Sequence, residues 1–458
     1  MEARELYGNI TDSAGAERYL NETPRFTHKS TITELRQYLT RLGDPQKGMK
    51  IVHIAGTNGK GSVSSQIASC LREAGFHVGL FISPHLTDIK ERMSVDGVMI
   101  PEEEFVEAFQ AVLKEVSSAA KDGLSHPLYF DFLFLMAMIW FSKKKPEYLV
   151  LETGLGGRLD ATNSVEEKVM TVITRIGIDH TAYLGNTIEE IAAEKAGILR
   201  KGCPAVVLTE PAEAFEVIRK KADEIGAPVY EVAPSDRKVN RVDENGIDFS
   251  LYNRYDKNLQ IYLPGRALYQ CENAALAAEA AGLLLDAEKI RDPGILKRGI
   301  EKNIWPGRFE EILPGVFIDG AHNPDGMKAF LESAGAVCRS RGAGTKVKRR
   351  ILLFSCVNDK DYSKELQMIA ASGLFTDIVA VPMQGKRALD AASLKRSIGE
   401  YAAGLSFHAC DSVEDAVNRF MFGKDSDTEI YAAGSLYLVG EIRGLVRDKL
   451  RDGITEGI

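Results

Sequence analysis

The sequence predicts an α/β protein: a doubly wound, mostly parallel sheet domain followed by a smaller α/β domain of the same kind. Three observations carry this expectation. Short apolar runs, "MKIVHIAG", "HVGLFIS", "EYLVLETG", "VMTVITRIG" and "PAVVLT", alternate with helical patterns from about residue 50 onward. Continuous apolar strands separated by helices indicate a parallel sheet covered on both faces. A second such series, "GVFIDG", "RRILLFSCV", "DIVAVPM" and "EIYAAGS", begins after a cluster of prolines and glycines. Finally, 458 residues suit two or three domains. We place the boundary near Trp305, giving domains 1–304 and 305–458.

The individual elements support this division. "SVSSQIASCLREAG" has a helical pattern and stops on Gly75. Phe132 to Phe141, "FLFLMAMIWF", is too short to span a bilayer and suits a buried helix, so no membrane partner is expected. The N-terminal stretch is charged and lacks the apolar region of a secretory signal. The six cysteines show no CxxC spacing and read as reduced core thiols, so a cytoplasmic location is expected. A net charge of -8 argues against a nucleic-acid partner. The basic stretch Arg339 to Arg350 reads as a solvated connection.

Chemistry concentrates in "HIAGTNGKGS", His53 to Ser62. The usual phosphate-binding loop reads G-x-x-x-x-G-K-[ST], and this one is spelled differently. It nevertheless follows a strand and opens a helix, the context of a phosphate cradle. An ordinary tight turn needs one glycine. This one has Gly56, Gly59 and Gly61, with Thr57, Asn58, Lys60 and Ser62. Small residues let backbone N–H groups approach an anion, and Lys60 adds charge. The first domain is therefore expected to be P-loop-containing.

Other candidates stand at further strand ends, where ligands collect in such sheets. Ser83 leaves "FISPHL", and Glu152 ends the strand before "TGLGGRLDATN". A carboxylate there suits magnesium. A dinucleotide reading of these glycines fails, because Leu159 occupies the third glycine position. The glycines instead let a loop approach a ligand, with Arg158 and Asp160 reaching in; the alternative is a structural turn in which those two pair. Asp179 and His180 follow another strand, and Lys195 lies on the next helix. The second half offers Arg308, then Asp319 and His322 in "IDGAHNP", and Ser435 and Tyr437 after the last strand. A polar D-x-x-H invites a metal or general-base reading; local turn chemistry through Asn323–Pro324 is the alternative.

Together, "HIAGTNGKGS", "SPHL", "LYFD", "ETGLGGRLDATN", "IGIDHTAYLG", "EKAGI", "NAALA", "PGRFE", "DGAHNP" and "GSLYLVGE" resemble the Mur-type ATP-dependent amide ligases, and within them the folylpolyglutamate synthase branch. The likeness runs from about Phe26 to the last helix. "GLGGRLDATN" separates the folate branch from the cell-wall ligases. The resemblance implies ATP and Mg²⁺, with folate and L-glutamate as the other substrates, and an acyl phosphate formed on a carboxylate and displaced by the glutamate amine. Gly56 to Ser62 would hold phosphates. Ser83 and Glu152 would hold one Mg²⁺; Glu152, His180 and a carbamylated Lys195 would hold a second. Asn273, Arg308, Asp319 and His322 would meet ATP from the far side of the cleft, which a Rossmann-like C-terminal domain would close. Tyr129, Phe130, Arg158 and Asp160 would lie near the pterin and acyl phosphate, and Ser435 and Tyr437 near glutamate. Lys60, His180, Lys195, Asp319 and His322 form the expected catalytic set, in a monomer.

Two departures bear on the acceptor. "HKSTITELRQYL" replaces a Gly-Leu-Glu-Arg-like stretch, and Leu128 replaces a threonine. Tetrahydrofolate is therefore expected to outperform dihydropteroate. Two other classes remain open at this point: a UDP-muramoyl peptide ligase of wall synthesis, and a P-loop ATPase that binds a partner.

Overall fold

The computed structural model describes residues 10–24, 31–255, 257–340, 347–356, 362–383, 391–402 and 404–456. Residues 1–9, the first three residues of the segment expected to diverge near the N-terminus (28–30) and the centre of the basic connection (341–346) lie outside these. Three sheets organise the described chain.

The first contains β1 (Lys50–Ala55), β2 (Val78–Phe81), β3 (Met93–Val95), β4 (Val98–Met99), β5 (Tyr148–Glu152), β6 (Met170–Ile173), β7 (Ala205–Leu208) and β8 (Val229–Val232). Their order is β4-β3-β2-β5-β1-β6-β7-β8. All pairs are parallel except β2–β3 and β3–β4. β1 sits between β5 and β6, with Ile54 opposite Glu152 and Ala55 opposite Ile173. This register brings Ser83, Glu152, the glycine loop and the segment after β6 to one rim.

Helices cover both faces. α1 (Lys60–Glu73) is buried along most of its length and packs on α4 (Gln270–Ala287). The apolar run expected to be a core helix is α2 (Tyr129–Lys144), buried from Phe132 to Phe141. α3 (Ile188–Ala196) carries Lys195. No helix among the described residues is long and apolar enough to cross a membrane. All six cysteines are free thiols, five of them buried.

A three-stranded antiparallel sheet, β9 (Arg237–Val242), β10 (Gly246–Leu251) and β11 (Leu259–Pro264), was not anticipated. β11 alternates buried and exposed residues, and Ile247, Phe249, Ile261 and Leu263 join the core around α1 and α4. Half-buried strands of this kind carry no continuous apolar run.

The third sheet comprises β12 (Glu310–Leu313), β13 (Val316–Ile318), β14 (Arg349–Phe354), β15 (Asp377–Ala380), β16 (Ser406–Ala409) and β17 (Thr428–Ala433), ordered β12-β13-β17-β14-β15-β16. Only β12–β13 is antiparallel. β13 and β17 are neighbours, so Asp319 and Ser435 emerge side by side, preceding α5 (Pro324–Ser340) and α6 (Leu436–Glu456) respectively.

Candidate active site

The two parallel sheets face each other across one cavity of about 680 Å³. Every residue singled out in the sequence lines it except Arg158.

The glycine loop is shaped by close packing. Gly59 caps α1 at φ 89°, in the left-handed region, and a Cβ there would lie 2.4 Å from Asn273 Oδ1. Only glycine meets both demands. Thr57 N–H and Asn58 N–H donate to the Arg175 carbonyl at 2.9 and 3.2 Å. They are therefore committed to the loop's own shape. The groups free to receive phosphate are the first-turn N–H groups of α1, Lys60 to Ser62, which have no intrahelical partner. Lys60 Nζ donates to the Gly56 and Thr57 carbonyls at 3.2 and 3.3 Å.

Lys195 Nζ donates to the same Gly56 carbonyl at 2.7 Å. It is 3% exposed; burial, and then the Lys60 charge, lower its pKa to about 7. Glu152 is equally buried, and desolvation pushes it up to about 7 against the pull of Lys60, the Ser83 N–H, Arg308 and Arg92. The Ser83 N–H donates to Glu152 Oε2 at 3.0 Å, which ties the two expected magnesium ligands together. Mg²⁺ retains waters and takes one or two carboxylates plus substrate phosphates. Glu152 with Ser83 fits that donor set. No group of three His, Cys, Asp or Glu among the described residues could hold a metal by itself. As an ammonium, Lys195 offers a metal no ligand.

The glycine stretch after Glu152 serves two purposes. Asp160 accepts from Leu155 N at 2.8 Å, Thr162 N at 3.1 Å and Thr162 Oγ1 at 2.5 Å, so it fixes the loop's curvature while lining the cavity. A Cβ on Gly157 would stand 2.8 Å from the Glu194 carbonyl and 2.9 Å from Lys195 Cα. That glycine lets the loop lie against α3, away from any ligand. Arg158 is displaced from the cavity for the same reason: its Nε and Nη2 donate to Glu194 at 3.1 and 2.8 Å, and its side chain is 57% exposed. Arg158 pairs with Glu194 in place of Asp160 and stands outside the cavity lining.

From the opposite sheet, Asp319 accepts from Tyr269 Oη at 2.5 Å, Phe309 N at 2.8 Å and Ala321 N at 2.7 Å. Burial raises its pKa, while Tyr269 and Arg308 oppose the rise. His180, at φ 52°, and His322 flank Asp179; His322 Nε2 lies 3.6 Å from Asp179 Oδ2. His322 Nδ1 donates to the Gly320 carbonyl at 2.7 Å, leaving Nε2 toward the cavity side. Ser435 is buried, and Tyr437 is half-exposed at the mouth.

Three residues escaped the sequence reading. Tyr269 orients Asp319, buried Arg92 faces the Tyr129 ring at 5.5 Å, and Asn323 bridges the two halves. Asn323 stood in a quoted motif but was assigned only to turn chemistry; Tyr269 and Arg92 lie in no motif that marks them.

A phosphate-loop sheet facing a second parallel sheet across a buried acid and two lysines defines a Mur-type ligase. The Mur ligase middle domain matches residues 54–281, and the Mur ligase glutamate ligase domain matches 307–436. The dihydrofolate synthase/folylpolyglutamate synthase of Bacillus subtilis is 34% identical, over 93% of this chain and 97% of that one. The folylpolyglutamate synthase of Mycobacterium tuberculosis, solved with ADP, superposes with a TM-score of 0.83 at 27% identity, covering 94% of this chain and 98% of that one. The bifunctional Yersinia pestis synthase, solved with AMPPNP and a Mn ion, gives 0.78 at 29%, covering 96% and 98%. The chain belongs to the dihydrofolate synthase/folylpolyglutamate synthase family of Mur ligases, and is an ATP-dependent ligase.

Proposed function

We propose that this cavity activates a folate carboxylate with ATP and joins it to L-glutamate. A single observation carries the reading: Lys60, Glu152 and Lys195 from one sheet and Arg308, Asp319 and His322 from the other converge on one cavity. Phosphoryl transfer to a carboxylate chiefly requires anions to be neutralised and aligned. The first-turn N–H groups and Lys60 receive the β- and γ-phosphates, and Asn273, Arg308, Asp319 and His322 hold the rest of the nucleotide. A folate carboxylate oxygen attacks the γ-phosphorus and ADP leaves. The glutamate amine, having lost its proton, then attacks the acyl carbon, and inorganic phosphate departs with the bridging oxygen. Tyr129, Phe130 and Asp160 line the acceptor's side, and Ser435 and Tyr437 the glutamate's.

Ser83 and Glu152 hold Mg²⁺, which supplies charge neutralisation to the phosphates. Lys195 works as a carbamate: at a pKa near 7 a fraction is neutral amine, which adds CO₂ and releases a proton, becoming an anionic oxygen ligand beside His180. Residues 1–304 bind ATP and folate, residues 305–458 close the cleft, and the enzyme acts as a cytoplasmic monomer. Tetrahydrofolate is the preferred acceptor. Wall-peptide ligation has no support among the relatives reported above.

The test is ADP release with glutamate and either tetrahydrofolate or dihydropteroate. Release over many turnovers should require acceptor and glutamate together, whereas acceptor alone supports at most one ADP per site. Acceptor-independent hydrolysis would instead identify a partner-binding ATPase.

A further inference from the structure

We infer that Asn58 and Asn323 form a latch between the phosphate loop and the C-terminal domain, so that Asn58 is a positioning residue for cleft closure and not a nucleotide ligand. Asn58 Nδ2 donates to Asn323 Oδ1 at 3.1 Å, and Asn323 Nδ2 donates back to Asn58 Oδ1 at 3.0 Å. Asn323 also donates to Asp179 Oδ2 at 2.9 Å and accepts from Gly326 N at 2.8 Å. A carboxamide offers two N–H donors and two oxygen lone pairs, so its capacity is filled. The Gly326 N–H and the Asp179 carboxylate fix which end is oxygen, and Asn58 must then present its amide in the complementary sense.

Each partner is held from behind. The Asn58 N–H is committed to the Arg175 carbonyl, and Thr174 Oγ1 donates to the Asn58 carbonyl at 2.7 Å. The side chain is thereby aimed across the cleft. Asn323 is 2% exposed and immediately precedes α5, so a displacement of that helix carries it away from the loop. Opening the cleft breaks the Asn58 and Asp179 bonds together and leaves Asn323 only its local bond to Gly326. Buried amides lose most when partly satisfied, which makes the contact close to all-or-none. Phosphates seated on the first turn of α1 stiffen the adjoining loop and favour the arrangement Asn323 recognises. Nucleotide occupancy is thus coupled to closure through one amide pair.

The kinetic arm of the test rests on the ligase reading above; the scattering arm does not. Asn58→Ala, Asn323→Ala and the double variant are compared with the unaltered protein, each by small-angle scattering with saturating AMPPNP, by calorimetric ATP binding and by glutamate ligation. Each single variant should leave a larger loaded radius of gyration than the wild type and lower kcat about tenfold, the scale of a lost hydrogen-bonded pair. By linkage the two single variants should weaken ATP binding by the same factor, and the double variant should be no slower than the slower single. Losses that multiply, a radius matching wild type in both single variants, or an ATP Kd weakened by Asn58→Ala and not by Asn323→Ala would overturn the latch. Should Asn323→Ala not fold, Asn58→Ala carries the test, because Asn323 then keeps Gly326 and Asp179. A wild-type protein that ligates no glutamate would reject the ligase reading, while the scattering comparison would still decide the latch.

Discussion

Replacing Lys60 by alanine tests the electrostatic core of the site, because one ammonium acts on three partners. Its ammonium rests on the Gly56 and Thr57 carbonyls at 3.2 and 3.3 Å, poised beside the first-turn N–H groups of α1. Removing one preorganised charge from a transition-state anion costs ~10²–10³ in kcat, equivalent to ~3–4 kcal/mol. The same charge depresses Lys195 and opposes the upward push of burial on Glu152, each now near 7. Its loss should therefore raise both pKa values: Lys195 becomes harder to deprotonate, and Glu152 harder to ionise. The rate loss should accordingly be larger near neutral pH than at pH about 9, where both groups have released their protons. The assay is ADP release across pH on folded protein, with urea unfolding as the control. Activity near wild type, or a loss that does not vary with pH, would refute the reasoning.

Further predictions use other parts of the molecule. Tetrahydrofolate should turn over faster than dihydropteroate, owing to Leu128 and the replaced N-terminal stretch; equal turnover in a side-by-side assay would contradict this. Lys195→Ala should abolish ligation and be partly restored by a short carboxylate, and ¹³C-bicarbonate should yield a carbamate resonance in the unaltered protein that the variant lacks. Burial alone would raise Asp377, but the Arg349, Thr376 and His408 hydrogen bonds outweigh it and hold this carboxyl well below its ordinary 3.8. A carboxylate depressed on folding stabilises above its unfolded pKa, and the contribution fades as pH falls through the folded value. Asp377→Asn should therefore lower the urea midpoint at about pH 6 and flatten its decline below about pH 4; an unchanged acid limb would count against the assignment.

The parts of the site legible in sequence are those whose constraints are local. The loop from Gly56 to Ser62 declares itself because a strand end, a left-handed glycine and a helix start lie within ten residues. Ser83, Glu152 and Asp319 stand at strand ends, so finding the strands found them. Contacts over long separations were not legible. The Asn58–Asn323 pair spans 265 residues, and the Tyr269–Asp319 bond 50. The Arg158–Glu194 pairing was not legible because Glu194 lies 36 residues downstream, on a helix the glycines admit to close range. The β9–β11 sheet went unread because "RKVNRV" is mostly exposed and polar, and its inner face alternates with solvent.

Oxygen transfer reports directly on whether the acceptor carboxylate is activated as an acyl phosphate. Tetrahydrofolate labelled with ¹⁸O in its terminal carboxyl group is turned over with ATP and glutamate, and the released inorganic phosphate is analysed by mass spectrometry. One labelled oxygen should appear in phosphate for each amide formed, because the bridging oxygen leaves with phosphorus. Unlabelled phosphate accompanying amide formation would contradict it.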